Sequence, residues 1–259
     1  MTITSVTISS APVVDFTVTT QAGGAFPGLS TGDLRFNIAK LMPGANGDPS
    51  TWQNYIVTTK TATAAGSPGE ATGAKALQGT RENNGTLVDH GDGTYTYTFA
   101  TDITKVDCPL PCTDAAGKPL DLSYDAGLTH RLVIQTRGSL PAVNAVYTFR
   151  PSDGATTGLF SREIVKTANC NECHNKLEAH DARIDTRYCV TCHNPGTTDP
   201  NSGHTVDFKV MIHKIHRGEE LPSVVAGGQY AIWGYGDTKH DFSDVVFPQD
   251  ILNCTKCHD

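Results

Sequence analysis

The chain has 259 residues and a formal charge of −7, which suits one large or two ordinary domains with room for a sizeable core. An acidic chain with few basic clusters is a poor match to nucleic acid or an anionic lipid surface. No apolar run approaches the ~20 residues of a membrane-spanning helix. The N-terminus, MTITSVTISSAPVVDF, lacks the basic n-region and apolar h-region of a signal peptide.

The first part of the chain reads as β. Ser5–Ser10 and Val13–Thr20 are rich in β-branched residues and are broken by Gly23-Gly24. Asp33–Leu41 sets Leu34, Phe36 and Ile38 against Arg35, Asn37 and Lys40, and Tyr55–Thr63 is a further β-branched stretch. In Leu87–Phe99, Asp92-Gly93 suits a tight turn, and Tyr95, Tyr97 and Phe99 then share one face of the outgoing strand. His130–Thr136 and Ala145–Phe149 complete at least seven candidate strands. An immunoglobulin-like or Greek-key β-sandwich over residues 1–157 follows. His90 at the hairpin turn and His130 at a strand start are expected to be solvent-facing or structural. Cys108 and Cys112 in CPLPC have no adjacent histidine. A short-loop disulfide is the favoured assignment, with a reactive dithiol as the alternative.

The turn-rich stretch Pro151–Gly158 marks a boundary. Beyond residue 157 lie six of the eight cysteines and eight of the ten histidines. Three copies of Cys-x-x-Cys-His occur there: Cys170/Cys173 with His174, Cys189/Cys192 with His193, and Cys254/Cys257 with His258. In this motif two thiols add to the two vinyl groups of one haem, and the histidine becomes the proximal ligand of its iron. Three covalent haems c are therefore expected over residues 158–259, in a mostly irregular, helix-poor multihaem cytochrome domain. The segments between motifs are short of aliphatic side chains, so haem must supply the apolar bulk, and the domain is expected to be disordered without it.

Zinc is the alternative, because the first two pairs fit a C-x2-C-x15-C-x2-C ribbon. Three features oppose it. A ribbon has no use for His174 and His193, the third copy lacks a fourth pair, and spare histidines crowd the region as irons needing second axial ligands require.

One helix is evident: Asp207 can cap Phe208–Arg217 and Gly218 ends it. Phe208, Met211, Ile212 and Ile215 recur at i, i+3, i+4 and i+7. His216 lies at the edge of that stripe and His213 about 60° further round, so the two can reach different irons. His180, six residues after His174, completes a first distal set of His180, His213 and His216. His240 either replaces one of these or serves a haem beyond the end of this chain, and His204 is the weakest candidate.

CNECHNKLEAHDAR, YCVTCHNP, DFKVMIHKIHRG and DFSDVVFPQDILNCTKCH together resemble the outer-membrane decahaem cytochromes of the OmcA/MtrC family, and GDLRFNIAKL and NAVYTFRPSDG are similar to that family's first β domain. The resemblance implies a β domain followed by a multihaem domain, exported to the cell's outer surface. It implies bis-histidine ligation with His180, His213 and His216 at distal positions. The partners it implies are other multihaem cytochromes or an outer-membrane conduit, together with external acceptors such as metal oxides, soluble metals and flavins. The family alternates two β domains with two pentahaem domains, whereas three motifs occur here and the chain stops one residue past His258. An N-terminal portion of a longer protein, or a short homologue, is therefore expected, with any leader already removed; the periplasm is the alternative location. The family's β-domain disulfide spans a longer loop than Cys108–Cys112.

Electron transfer without a catalytic pocket is the leading function, because iron held by two imidazoles has no open site. A multihaem reductase of nitrite or hydroxylamine type, with one five-coordinate haem, is the second, although all three motifs are of the standard form. A β-rich binding module bearing a zinc ribbon is the third.

Overall fold

Strands form where apolar and polar side chains alternate, because successive residues of a strand face opposite sides. The computed structural model describes residues 1–82, 84–109 and 111–258. Its strands are β1 (Thr2–Thr7), β2 (Val13–Thr17), β3 (Leu34–Met42), β4 (Thr51–Asn54), β5 (Val57–Thr61), β6 (Lys75–Gly79), β7 (Thr86–Asp89), β8 (Thr94–Thr98), β9 (His130–Thr136), β10 (Asn144–Phe149), β11 (Ala231–Trp233) and β12 (Lys239–Asp241). Its helices are α1 (Thr167–His174), α2 (Thr186–Cys189), α3 (Phe208–Arg217) and α4 (Pro222–Val225). The chain packs as two units that interleave along the sequence. The first takes Met1–Ile56, Thr80–Cys108 and Asp121–Cys192; the second takes Val57–Gly79, Pro109–Leu120 and the chain from His193 onward.

The first unit contains the β-sandwich. Two four-stranded antiparallel sheets, ordered β1-β2-β8-β7 and β10-β9-β3-β4, enclose one core. Tyr95, Tyr97 and Phe99 point inward as their alternation predicts, and Phe36 stacks on Tyr97 with ring centroids 3.8 Å apart. Phe16 stacks on Tyr95 at 5.2 Å. The hairpin from β7 to β8 turns through His90–Gly93, with Gly91 and Gly93 at positive φ.

Two strand expectations are corrected. β1 starts at Thr2, not Ser5, and carries a bulge between Ile3 and Ser5. The stretch Tyr55–Thr63 is not one strand. The Asn54 side chain accepts from Ile56 N at 2.7 Å, a local turn that ends β4. Tyr55 is then buried in the sandwich core, while β5 pairs with β6 in the second unit.

The outer face of the second sheet departs most from the alternation rule. Asn37, Ala39 and Leu41 of β3, Trp52 and Asn54 of β4, and Arg131, Val133 and Gln135 of β9 are all buried. They are covered by residues 161–192 of the same unit. Arg131 donates to Glu163 at 3.0 Å, and Arg183 Nε donates to Gln135 Oε1 at 2.9 Å. Asn144 of β10 donates to Ala182 O at 2.8 Å and accepts from Ile184 N at 2.9 Å. Val190 packs on Ala39, Leu41 and Trp52. Most polar groups on this face thus meet a partner, the condition for burying them at little cost; the Trp52 indole nitrogen is buried without one, beneath the Arg131 guanidinium.

In the second unit the β5–β6 hairpin binds the loop after His193. Thr198 N donates to Leu77 O at 2.9 Å, and Asn201 Oδ1 accepts from Thr63 N, Ala64 N and Ser67 Oγ at 3.0–3.1 Å. Asp199 Oδ2 accepts from Trp233 N at 3.0 Å, tying in the β11–β12 hairpin. α3 has the expected limits. Gly218 closes it with its N–H on Lys214 O, but Asp207 stands at the N-cap without a side-chain capping bond.

Candidate functional site: three cysteine–histidine motifs

The local backbone sets the three motifs differently. Cys170, Cys173 and His174 lie on α1, where residues three apart share a face. Cys189 ends α2, whose start is capped by Asp185 accepting from Arg187 N, and Cys192 and His193 follow in the next turn. Cys254 opens a short 3-10 turn that ends at Lys256, with Cys257 and His258 just after it. The six motif cysteines are in no disulfide, whereas Cys108 and Cys112 are disulfide-bonded.

The second motif is the most enclosed of the three. Cys192 is buried, and its Sγ accepts from Asn37 Nδ2 at 2.8 Å. Asn37 Oδ1 accepts in turn from Tyr188 Oη at 2.9 Å, and the Tyr188 ring lies beneath Arg183 with 5.0 Å from Cζ to centroid. Burial pushes the Cys189 thiol up to about 12 against the pull of the Arg183 charge, and raises Cys192 as well. Both are neutral thiols rather than reactive thiolates. Asn37, Asn54, Tyr188 and Arg183 escaped sequence reasoning. One signal was present: asparagine is depleted in strand interiors, and Asn37 sits in the middle of β3.

The histidines separate by what their rings bond. A backbone carbonyl can only accept, so a ring nitrogen bonded to one carries the proton and the other nitrogen carries the lone pair. His193 Nδ1 donates to Val206 O at 2.8 Å, His216 Nδ1 to Ile212 O at 2.9 Å, and His213 Nδ1 to Lys209 O. In all three the lone pair is on Nε2, in the form that a metal-ligating histidine takes. His130 makes the contrast. Its Nδ1 donates to Leu128 O at 2.9 Å, but its Nε2 accepts from Tyr55 Oη at 2.7 Å. Burial holds it down at about 4. It is a core histidine, and His90 is exposed and bonded to Thr96 Oγ1.

The rings of His213 and His258 lie near parallel, 12° between planes and 5.9 Å between centroids. Two imidazoles on opposite sides of one metal would stand about 6 Å apart, from ~2.0 Å bonds and ~1.1 Å from nitrogen to centroid on each side. His216 is placed differently, with its ring edge-on to Phe247 at 5.5 Å. Phe208, Met211, Ile212 and Ile215 are half-buried beside these two imidazoles, an apolar stripe suited to a porphyrin face. Thiols, Nε2 lone pairs and apolar stripe together fit a haem.

His180 is exposed, and it and Asp181 both have positive φ, a conformation costly for residues with a Cβ. Its carbonyl accepts from Gln135 Nε2 at 3.4 Å, which ties this bend to β9. His240 is exposed on β12 opposite Ile232, and its Nε2 would lie 2.8 Å from a Cβ placed on Gly234. His204 is half-buried against Tyr230 at 4.9 Å, and burial lowers its pKa. Among the described residues no three His, Cys, Asp or Glu side chains converge as a metal cluster, so Cys170, Cys173, Cys189 and Cys192 do not gather as a four-cysteine ribbon requires.

A β-sandwich joined to Cys-x-x-Cys-His motifs with Nε2-presenting histidines is the plan of a c-type multihaem cytochrome. A family model described as the OmcA-like N-terminal domain matches residues 1–156, and one described as outer membrane cytochrome MtrC/MtrF-like, domains II/IV, matches residues 162–259. The chain belongs to the OmcA/MtrC family of outer-membrane multihaem cytochromes. It is 30% identical to the multihaem cytochrome MtrC of Shewanella baltica (strain OS185) over 233 residues, 85% of this chain and 30% of that protein. Among solved structures it is similar to the outer membrane decahaem cytochrome OmcA, with 30% identity and a TM-score of 0.81 over 98% of this chain and 39% of that one. MtrC from Shewanella baltica OS185 gives 26% identity and a TM-score of 0.59 over 85% of this chain and 32% of that one. The chain thus spans about a third of the length of these relatives.

Proposed function

We propose that this chain carries three covalent haems c in a relay that passes electrons at the cell exterior. The acceptors are metal oxides, soluble metals, flavins or another cytochrome. The modules are residues 1–157, the sandwich, and residues 158–259, the haem domain. Cys170/Cys173, Cys189/Cys192 and Cys254/Cys257 attach the haems, and His174, His193 and His258 are their proximal ligands. His180, His213 and His216 supply the distal imidazoles, with His240 as the replacement. When bound, each haem supplies a one-electron couple. The residues position it, close both axial sites and leave no place for a substrate on iron. The observation that carries this proposal is the His213–His258 geometry, a motif histidine facing a second imidazole at 5.9 Å.

The test is haem content and spin state after expression with a haem c maturation system. Three haems per chain by pyridine haemochrome and intact mass, low-spin spectra and no carbon monoxide adduct after reduction are expected. Changing Cys170 and Cys173 to Ala should remove one haem. Zinc without haem would sink the proposal, and stoichiometric carbon monoxide binding at every haem would replace it with the reductase.

A further inference from the structure

The cations around the second motif are not balanced. Among the described residues near it are six arginines, and three of them have carboxylates: Arg131 with Glu163 at 3.0 Å, Arg187 with Asp185 at 2.6 Å, and Arg137 with Asp181 at 3.9 Å. The other three are held by neutral groups. Arg183 bonds Gln135 and lies over the Tyr188 ring. Arg35 donates to its neighbour's carbonyl, Leu34 O, at 2.8 Å. The Arg81 Nε is buried with no hydrogen-bond partner. Burial lowers the Arg35 pKa, and the charges of Arg81, Arg137 and Arg183 lower it further.

This unpaired charge is linked to the attachment motif by direct contacts. Arg183 lies on Tyr188, Tyr188 donates to Asn37, and Asn37 donates to Cys192 Sγ. The other two motifs lack such enclosure, with Cys173 and Cys254 exposed.

We propose that Arg35, Arg81 and Arg183, which pair with no carboxylate among the described residues, form a cationic shell that makes the haem on Cys189/Cys192 the most easily reduced of the three, the two propionates being common to all three haems. The inference rests on the haem assignment above. Reduction adds one electron, taken from a neighbouring haem, and lowers the net charge of the site by one, with no bond made or broken. A fixed positive charge therefore favours the reduced form. Burial acts in the same direction, since the oxidised bis-imidazole iron porphyrin core is a net cation. A unit charge ~10 Å away at an effective dielectric of ~20 changes such an equilibrium by about tenfold, which is ~59 mV for one electron.

The experiment is spectroelectrochemical titration of the three-haem protein and of Arg183→Gln, Arg183→Lys and Arg81→Gln. Haem count by pyridine haemochrome comes first: fewer than three haems in the unaltered protein overturns the haem assignment, and this inference with it. With three haems present, Arg183→Gln should lower the highest of the three potentials by about tenfold in its equilibrium constant and leave the other two in place. Arg183→Lys should keep it. Arg81→Gln, whose Nε loses no hydrogen bond, should give a shift of the same sign and guards against a misfolded Arg183 variant. A highest potential that stays put in both glutamine variants, or a shift confined to a lower potential, overturns the proposal.

Discussion

Replacing His213 with alanine should open one haem and leave the other two closed. His213 sits on the exposed side of α3, and its ring is fixed by the Nδ1 bond to Lys209 O, one turn back along the same helix. That bond leaves Nε2 as the donor atom of the neutral ring, and the His258 ring lies near parallel, 5.9 Å between centroids and 12° between planes. Two imidazoles on opposite sides of one metal would stand about 6 Å apart, close to the separation of these two rings. His258, Cys254 and Cys257 remain in the variant, so three haems should still be attached. One of the three should become high-spin in magnetic circular dichroism, and the reduced protein should take up about one carbon monoxide per chain. His216→Ala should open a different haem, because its ring points about 60° away along the helix and meets Phe247 edge-on instead of His258. The double variant should then open two. A His213→Ala protein whose haems all stay low-spin would remove His213 from the ligand set and make His240 the next residue to change.

Two further outcomes follow from the sandwich. His130 is held neutral, at about 4 instead of 6.5, by burial against Tyr55, so the unfolded chain binds the extra proton between those values. Its contribution is therefore complete above pH ~6.5 and is lost as pH falls towards ~4, at up to ~1.4 kcal/mol per unit and roughly 3 kcal/mol in all. Urea unfolding followed by far-ultraviolet circular dichroism at pH 7 and pH 4.5 should show that loss, and His130→Phe should flatten it. Phe36→Ala should cost about 3–5 kcal/mol, since Phe36 is buried between the sheets and stacks on Tyr97 at 3.8 Å; a loss under 1 kcal/mol in the same assay would contradict the core assignment.

Local chemistry explains which features could be read from the sequence. β9 and α3 have their expected limits because each is marked by its own residues: a β-branched run in one, an apolar 3.6-period stripe ended by Gly218 in the other. Tyr95, Tyr97 and Phe99 point inward because a hairpin with one wet face obeys strict alternation. β3 does not, since both its faces are covered. Asn37 and Lys40, set against the apolar residues of the alternation, are fully buried, Asn37 under the 161–192 segment and Lys40 through its bond to Ser123 O and its ion pair with Asp121. The motif residues were evident because the same Cys-x-x-Cys-His spacing recurs three times. Their supporting residues were not, because Asn37 and Cys192 are 155 residues apart and are joined only by folding.

That long-range contact also changes the role that can be given to the sandwich. A spacer domain would need only a soluble exterior, and its outer sheet face would be polar and wet. Here that face binds the second attachment motif through bonded groups: Asn37 to Cys192, Tyr188 to Asn37, and Asn144 to the backbone on either side of Arg183. Sites supported by strands hold geometry better than sites supported by loops. An electron carrier gains directly from that, since its work is done by keeping redox centres at fixed separations in a fixed dielectric. Residues 161–192 have few aliphatic side chains for a core of their own, and the sheet supplies both the apolar contact, through Val190 on Trp52, and the polar partners. The sandwich and the two cysteines of the second motif are on these grounds one mechanical element, and substitutions on the outer face of β3 should be felt first at Cys189 and Cys192.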